Sequence, residues 1–255
     1  HIDLGYCHRR GITVANAPGC NAPAVAQYVF ASLAQVIDRP ISDYTIGIVG
    51  VGHVGKIVEQ WATQLGMKVL LCDPPRAKVE CTNNFVSLAE IAEQCDIITF
   101  HTPLDKTTYH IINDDIISLM RPDATIINAS RGEVADTTAL LKAGQTLLLD
   151  VWENEPRLDG NVLGGAMLAT PHIAGYSEQG KANATAMSVN ALSRFDAKNG
   201  RKELVHLTIL DDEIAVKHAV VVAAKMHERA AADTGNVLDI ELAAADNENA
   251  EAESR

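Results

Sequence analysis

Aromatic residues are scarce in this chain: Phe, Trp and Tyr together make up 4% of its 255 residues. A core must therefore be built from aliphatic side chains, and the 47% hydrophobic content is enough to build one. That Ala, Val, Ile and Leu mixture suits buried parallel strands packed beneath Ala-rich helices. Positive charge is also short. There are 21 Lys and Arg against 33 Asp and Glu, a formal net charge of −12. This balance argues against a nucleic-acid partner or an anionic membrane surface. An anionic substrate would need a local cation to overcome it. No apolar run approaches the roughly 20 residues that a membrane span requires. The five cysteines (Cys7, Cys20, Cys72, Cys81 and Cys95) form no C-x-x-C pair and no zinc-like Cys/His spacing, so no metal site is expected. Cys72 and Cys95 adjoin apolar runs, and buried free thiols in a reducing cytoplasm are the expected state.

What the chain does have is a repeating alternation of strand and helix. Asn21-Ala22-Pro23 reads as a helix start, with the helix running to about Ile37. Short apolar strands are expected at Thr45–Gly50, Lys68–Cys72, Asp96–Phe100, Ala124–Asn128 and Thr146–Asp150. Helices fall between them: Val54 to Leu65 closed by Gly66, a capping box at Ser87 to Glu90, a short helix capped by Asn113, and Thr137 to Lys142. Five strands alternating with helices imply an α/β fold with a doubly wound parallel sheet. Residues 177–197 read as one long helix leaving this unit. Ile214 to Ala232 is Ala/Val-rich and expected to be helical, and the acidic residues beyond Asp239 read as a solvated tail.

Gly50-Val-Gly52-His-Val-Gly55 follows a strand and opens a helix, the context that gives a G-x-G-x-x-G its meaning. Gly50 permits the tight turn, and Gly52 lets backbone N–H groups approach a pyrophosphate. His53 lies in the loop facing solvent or the phosphates, Val54 starts the helix whose N-terminus faces them, and Gly55 lets helix and strand pack closely. Asp73 closes the next strand, eighteen residues after Gly55. An acid there takes adenosine ribose hydroxyls and repels a 2′-phosphate, so NAD is favoured over NADP. Arg76 is the competing cation. The plainer alternative is a glycine-rich turn in another α/β protein, such as a flavoprotein or a methyltransferase.

Three further residues follow strands and carry chemistry: Arg131 in Asn128-Ala-Ser-Arg-Gly132, Glu155 in Asp150-Val-Trp-Glu-Asn-Glu-Pro156, and His172 in Thr170-Pro-His-Ile-Ala-Gly175. Hydride transfer from a 2-hydroxy acid needs a cation for the carboxylate, an acid/base near neutrality, and a partner that fixes the tautomer of that acid/base. Taken singly, each residue has a blander reading: a turn arginine, a solvated glutamate before proline, a satisfied core histidine. His101 lacks an obvious carboxylate partner and is read as structural.

In their order and context these segments resemble the D-2-hydroxyacid dehydrogenases, over roughly residues 1–197. The resemblance implies that Arg131 binds the substrate carboxylate, that His172 is the acid/base, and that Glu155 is its partner. It implies that Thr102, Pro103, Ala129, Arg131, Asp150 and Gly175 line the NAD, and that Tyr176 lies near substrate. Asn16-Ala-Pro-Gly-Cys-Asn-Ala22 and the run from His172 to Ala182 are similar to a branch of that family acting on a phosphorylated 2-hydroxy acid. Other 2-hydroxy acids, phosphoglycerate or glycerate, remain open, as does a non-catalytic NAD-sensing protein. The resemblance further implies four segments. Residues 1–40 would hold the end of a flavodoxin-like substrate domain, with its last strand near His1 to Tyr6, and a connecting helix. Residues 41–176 would be the Rossmann NAD-binding domain, 177–197 a return helix, and 198–255 part of a dimerisation region, with a strand at Leu204 to Leu210 and the tail. The chain opens on His1 rather than Met and reads as the middle of something longer, so a preceding segment is expected; the resemblance also implies a homodimer.

Overall fold

The computed structural model describes residues 2–81, 84–198 and 220–223. They fall into two compact units, residues 22–175 and a second formed by 1–21 with 176–255. The chain opens with helix α1 (Leu4–Arg9) and strand β1 (Thr13–Asn16). The strand expected near His1 to Tyr6 is therefore a helix, and the strand comes later. Asp3 decides this locally, because its carboxylate accepts the Tyr6 N–H and caps the helix.

The larger unit begins with α2 (Ala22–Leu33), followed by β2 (Thr45–Val49), α3 (His53–Gln64), β3 (Lys68–Cys72), α4 (Pro74–Glu80) and α5 (Leu88–Gln94). It continues with β4 (Ile97–Phe100), α6 (Asp114–Leu119), β5 (Thr125–Asn128), α7 (Thr137–Lys142), β6 (Thr146–Leu149), α8 (Gly160–Gly165) and β7 (Leu168–Ala169). All six strands run parallel in the order β3-β2-β4-β5-β6-β7, with Phe85 adding one parallel bridge outside β3. Chain order reverses between β2 and β4, and loops leaving that crevice are where such sheets bind ligands. The doubly wound α/β fold read from the sequence is the fold observed.

The sheet is buried on both sides, which is why its strands are continuous apolar runs rather than alternating ones. Ile46, Ile48, Ile97, Ile127 and Leu148 pack with Ala26, Val29, Val58 and Ala62 of α2 and α3 on one face. Ile98, Phe100, Ile126, Leu147 and Leu149 pack with Ile91, Ile117 and Leu140 of α5, α6 and α7 on the other. Gly47 in β2 makes room for this second layer, since a Cβ there would meet Ile91 and Cys95. Burial pushes the Cys72 and Cys95 thiols up to about 11 and about 12, with the neighbouring Asp73 and Asp96 carboxylates adding to it, so both stay protonated packing groups. All five cysteines are free thiols.

Several features depart from the sequence reading within this unit, the short helix α8 among them. Helix α2 ends at Leu33, and the chain tightens into turns where the Val36 N–H bonds only three residues back. Helix α4 was not expected. Asp73 caps it, and two prolines stand where their missing N–H groups cost nothing. The sixth strand, β7, is two residues long and gave no signal of its own.

In the smaller unit, α9 (Glu178–Lys198) is the long helix expected at 177–197, and β8 (Val220–Ala223) pairs antiparallel with β1. Part of the run read as helical is therefore strand at 220–223. Three consecutive β-branched valines explain the difference. The strand expected at Leu204 to Leu210, the remainder of 214–232 and the acidic tail lie outside the described residues. No helix among the described residues is long and apolar enough to cross a membrane.

Candidate active site

The glycine loop forms at the carboxyl end of β2. Gly50 adopts φ +87°, and a Cβ there would strike the His101 backbone, so two neighbouring loops meet at this residue. A Cβ on Gly55 would collide with the Gly50 carbonyl, whereas one on Gly52 would meet nothing within 4 Å. Gly52 is the open position and Gly55 the closely packed one, the division a pyrophosphate cradle needs. Helices α4 to α8 each begin with a side-chain cap from Asp73, Ser87, Asn113, Asp136 or Asp159. Helix α3 has none. Its first-turn N–H groups, on His53, Val54 and Gly55, are thus left for an anion. His53 is exposed and Val54 half-buried.

Asp73 lies at the end of β3, half-buried. One carboxylate oxygen accepts the Val51 N–H at 2.8 Å, and the other accepts the Arg76 N–H at 3.0 Å. Arg76 is itself committed. Its Nε donates to Glu80 at 2.6 Å, its Nη1 to the Val51 carbonyl at 2.8 Å, and its guanidinium lies 5.1 Å from the Phe85 ring centroid. The cation that competes for a 2′-phosphate is tied to other partners.

Across the crevice, His101 Nε2 meets Thr99 Oγ1 at 3.0 Å, while its Nδ1 and the Thr102 hydroxyl are enclosed without protein partners. Burial pushes the His101 imidazole down to about 4, so it is neutral at pH 7. Pro103 is exposed, and its carbonyl accepts the Thr108 hydroxyl. The open glycine cradle, the uncapped helix and these unpartnered polar atoms fit a dinucleotide.

The other candidate residues follow β5, β6 and β7, three adjacent parallel strands, and so stand along one edge of the sheet. After β5, buried Asn128 folds the turn by accepting the Ser130 N–H and hydroxyl and donating to the Arg131 carbonyl. This turn leaves Ala129 half-buried and Arg131 exposed, with Arg131 Nη1 on the Ser130 carbonyl. After β6, Asp150 is fully buried. Its Oδ1 accepts the Thr170 hydroxyl at 2.6 Å and the Ile173 N–H at 2.8 Å, and its Oδ2 accepts the Ala174 N–H at 2.8 Å. A buried carboxylate is tolerable only when satisfied in this way. Its carbonyl also takes the His172 N–H. Asp150 thus shapes the whole 170–174 loop and holds His172 at φ +57°, a conformation costing about 1–3 kcal/mol for a non-glycine residue. Gly175 follows, half-buried.

The geometry brings His172 and Glu155 together: Nδ1 lies 2.8 Å from Oε2, with the side chains 47% and 32% exposed. The other Glu155 oxygen accepts the Trp152 N–H at 2.8 Å. The pair is fixed yet open to solvent. Arg131 makes no hydrogen bond or ion pair with these two residues. It is tied to them through its neighbour Gly132, which packs against the Trp152 and Glu153 backbone. Tyr176 belongs to the other unit, where it is half-exposed with the Lys181 ammonium 4.6 Å over its ring. In that unit the Cys20 carbonyl accepts from Asn183. The sequence reading also missed the contact between His110 and Glu153. His110 Nε2 lies 2.7 Å from Glu153 Oε1, across 43 residues of chain, and no local pattern announces it. Among the described residues, no cluster of three or more His, Cys, Asp or Glu could hold a metal.

The model of the family "D-isomer specific 2-hydroxyacid dehydrogenase, NAD binding domain" matches residues 24–174. The chain belongs to this family. Its cofactor is NAD. The chain is 49% identical over 207 residues to erythronate-4-phosphate dehydrogenase of Bacteroides fragilis, covering 76% of this chain and 60% of that one. It is 45% identical to the Escherichia coli protein of that name, again over 76% of this chain but 55% of the relative. The chain thus spans little more than half the length of these relatives. Among solved structures it resembles D-2-hydroxyisocaproate dehydrogenase (TM-score 0.71, 25% identity, 78% of this chain and 73% of that one). It also resembles Aquifex aeolicus D-lactate dehydrogenase complexed with NAD and lactic acid (TM-score 0.64, 27% identity, 79% and 76%).

Proposed function

We propose that this chain is the nucleotide-binding part of a dehydrogenase that oxidises 4-phospho-D-erythronate to its 2-oxo acid, a step of pyridoxal phosphate biosynthesis, as a cytoplasmic homodimer. The observation that carries the chemistry is the His172–Glu155 pair at 2.8 Å on the sheet edge that also presents Arg131. The substrate assignment is supported by the 45–49% identity to erythronate-4-phosphate dehydrogenases.

In this reading the glycine loop from Gly50 to Gly55 takes the pyrophosphate on the uncapped end of α3, and Asp73 takes the adenosine ribose. Thr102, Pro103, Ala129 and Gly175 border the rest of the cofactor, and Asp150 acts on it only by holding the 170–174 loop from beneath. NAD held there would supply the acceptor for the hydride that leaves C2. Glu155 accepts a hydrogen bond from Nδ1–H of His172, which leaves Nε2 as the basic nitrogen. His172 Nε2 takes the hydroxyl proton as the C–H bond breaks, so the alcohol becomes a ketone and the proton rests on the imidazole. Arg131 holds the substrate carboxylate and polarises the carbonyl oxygen, supplying a local cation at the site in a chain of net charge −12.

A panel of 2-hydroxy acids assayed with NAD and the full-length protein tests this. 4-Phosphoerythronate should give the highest kcat/KM. Preference for 3-phosphoglycerate or glycerate would overturn the substrate assignment. NAD binding with no turnover on any acid would favour a sensing role.

Cofactor choice gives a second test. Asp73→Ser keeps a capping oxygen for α4 but removes the charge. Arg76 stays tied to Glu80 and Val51, so the change acts through the lost repulsion of a 2′-phosphate and the weakened hold on the ribose hydroxyls. The ratio of NADP to NAD affinity should rise about 10-fold or more, read by titration calorimetry. An unchanged ratio would remove Asp73 from the ribose site.

A further inference from the structure

Glu153 stands two residues before Glu155, yet its carboxylate turns away from His172 and bridges two other segments. Oε1 accepts from His110 Nε2 at 2.7 Å, and Oε2 accepts the Thr137 N–H at 3.0 Å, where α7 begins. Burial raises the Glu153 carboxyl, but hydrogen bonds from Thr137 and His110 outweigh it and hold the group below its ordinary value, so it is ionised at neutral pH.

His110 is unusually constrained for a residue outside the cleft. Its N–H donates to the Glu133 carbonyl at 2.9 Å, its own carbonyl accepts from Asn113 Nδ2 at 3.1 Å, and its ring stacks on Tyr109 with centroids 3.9 Å apart. Its backbone sits at φ +52°, a conformation bulky residues avoid unless their surroundings enforce it.

These contacts form a continuous path. The His110 backbone grips Glu133, two residues after Arg131, while its ring grips Glu153 in the loop after β6. Gly132 packs directly on the Trp152–Glu153 backbone between them. The Trp152 N–H then fixes Glu155 Oε1, and Glu155 Oε2 meets His172. We infer that His110 and Glu153 are positioning residues, which clamp the Arg131 loop to the Glu155 loop so that Glu155 presents its carboxylate to His172. The inference rests on the reading of His172 and Glu155 as the acid/base pair. A purely structural pair would lower stability without altering that dyad in the folded protein.

Ring-nitrogen NMR of the full-length protein labelled in histidine separates these cases, with His172 assigned by the signal lost in His172→Gln. The variant is His110→Asn. Asparagine tolerates the left-handed backbone, so the fold is spared, but its side chain is too short to reach Glu153. Neutral His172 in the parent protein should carry its proton on Nδ1. His110→Asn should lose that preference and lower kcat about 10-fold with KM for NAD unchanged. His110→Gln, long enough to donate to Glu153, should restore both. A parent-like His172 spectrum and kcat in His110→Asn, with only a lower melting temperature, would overturn the inference. Glu155→Ala keeps the two claims apart: if the His172 spectrum ignores that change, the dyad reading fails whatever His110 does.

Discussion

Replacing His172 by glutamine is expected to lower kcat for oxidation of the 2-hydroxy acid by about 10²–10⁴-fold while NAD affinity holds. The size follows from what the imidazole alone supplies. Glutamine matches its reach and hydrogen-bonding capacity but cannot take a proton near neutrality, so the hydroxyl proton loses its acceptor. The fold should tolerate the change, because the loop is held by backbone and Asp150 contacts rather than by the ring. The His172, Ile173 and Ala174 N–H groups all bond to Asp150. Cofactor affinity should hold because the glycine loop and Asp73 lie at the other end of the crevice from β7. The checks are steady-state kinetics and NAD titration on the same preparation. A rate within a few-fold of the parent would remove His172 from the reaction. Equal losses in rate and NAD affinity would assign it to cofactor binding instead.

Much of this architecture was legible before any coordinates. The sheet strands announce themselves because burial on both faces demands uninterrupted aliphatic runs, as at Thr125–Asn128 and Thr146–Leu149. The Ser87 capping box and the Asn113 cap mark their helices because those side chains have no better local use, and both bonds are present. Reading failed where one residue serves two ends. Asp73 looked like a ribose ligand and is also the cap of α4. The two prolines after it sit in the first turn of that helix, which accepts them. At Val220–Ala223, alanine content outweighed three β-branched residues, and pairing with β1 decided otherwise.

The candidate site divides in the same way. Motif residues could be named because each follows a strand end. What joins them could not, because it is non-local. Nothing in the sequence shows that Asp150 is sealed beneath the His172 loop, that Arg76 is occupied by Glu80 and Val51, or that His110 reaches Glu153. Side chains that carry the chemistry sit in recognisable patterns, whereas those that hold them in place are recruited from wherever the fold passes.

Gly132 makes that dependence measurable. Gly132→Ala is expected to lower the melting temperature by roughly 6–12 °C, corresponding to about 3 kcal/mol, and to reduce activity beyond the loss of folded protein. The added methyl would fall on the Trp152 carbonyl and the Glu153 N–H, and these are backbone atoms that cannot rotate away. Relief requires the Arg131 turn and the 150–156 loop to move apart. Asn128 holds the first through the Arg131 carbonyl, and the Glu153 contacts to His110 and Thr137 hold the second. The strain therefore reaches the guanidinium and the Glu155 carboxylate together. Gly144→Ala is the control, since a Cβ there meets nothing within 4 Å, and it should leave stability within about 1 kcal/mol. Calorimetry and kcat measured well below the transition separate the two effects. A Gly132→Ala protein that melts like the parent would show that the loops can part at no cost, leaving His172, Glu155 and Arg131 without the rigid spacing that proton and carboxylate binding require.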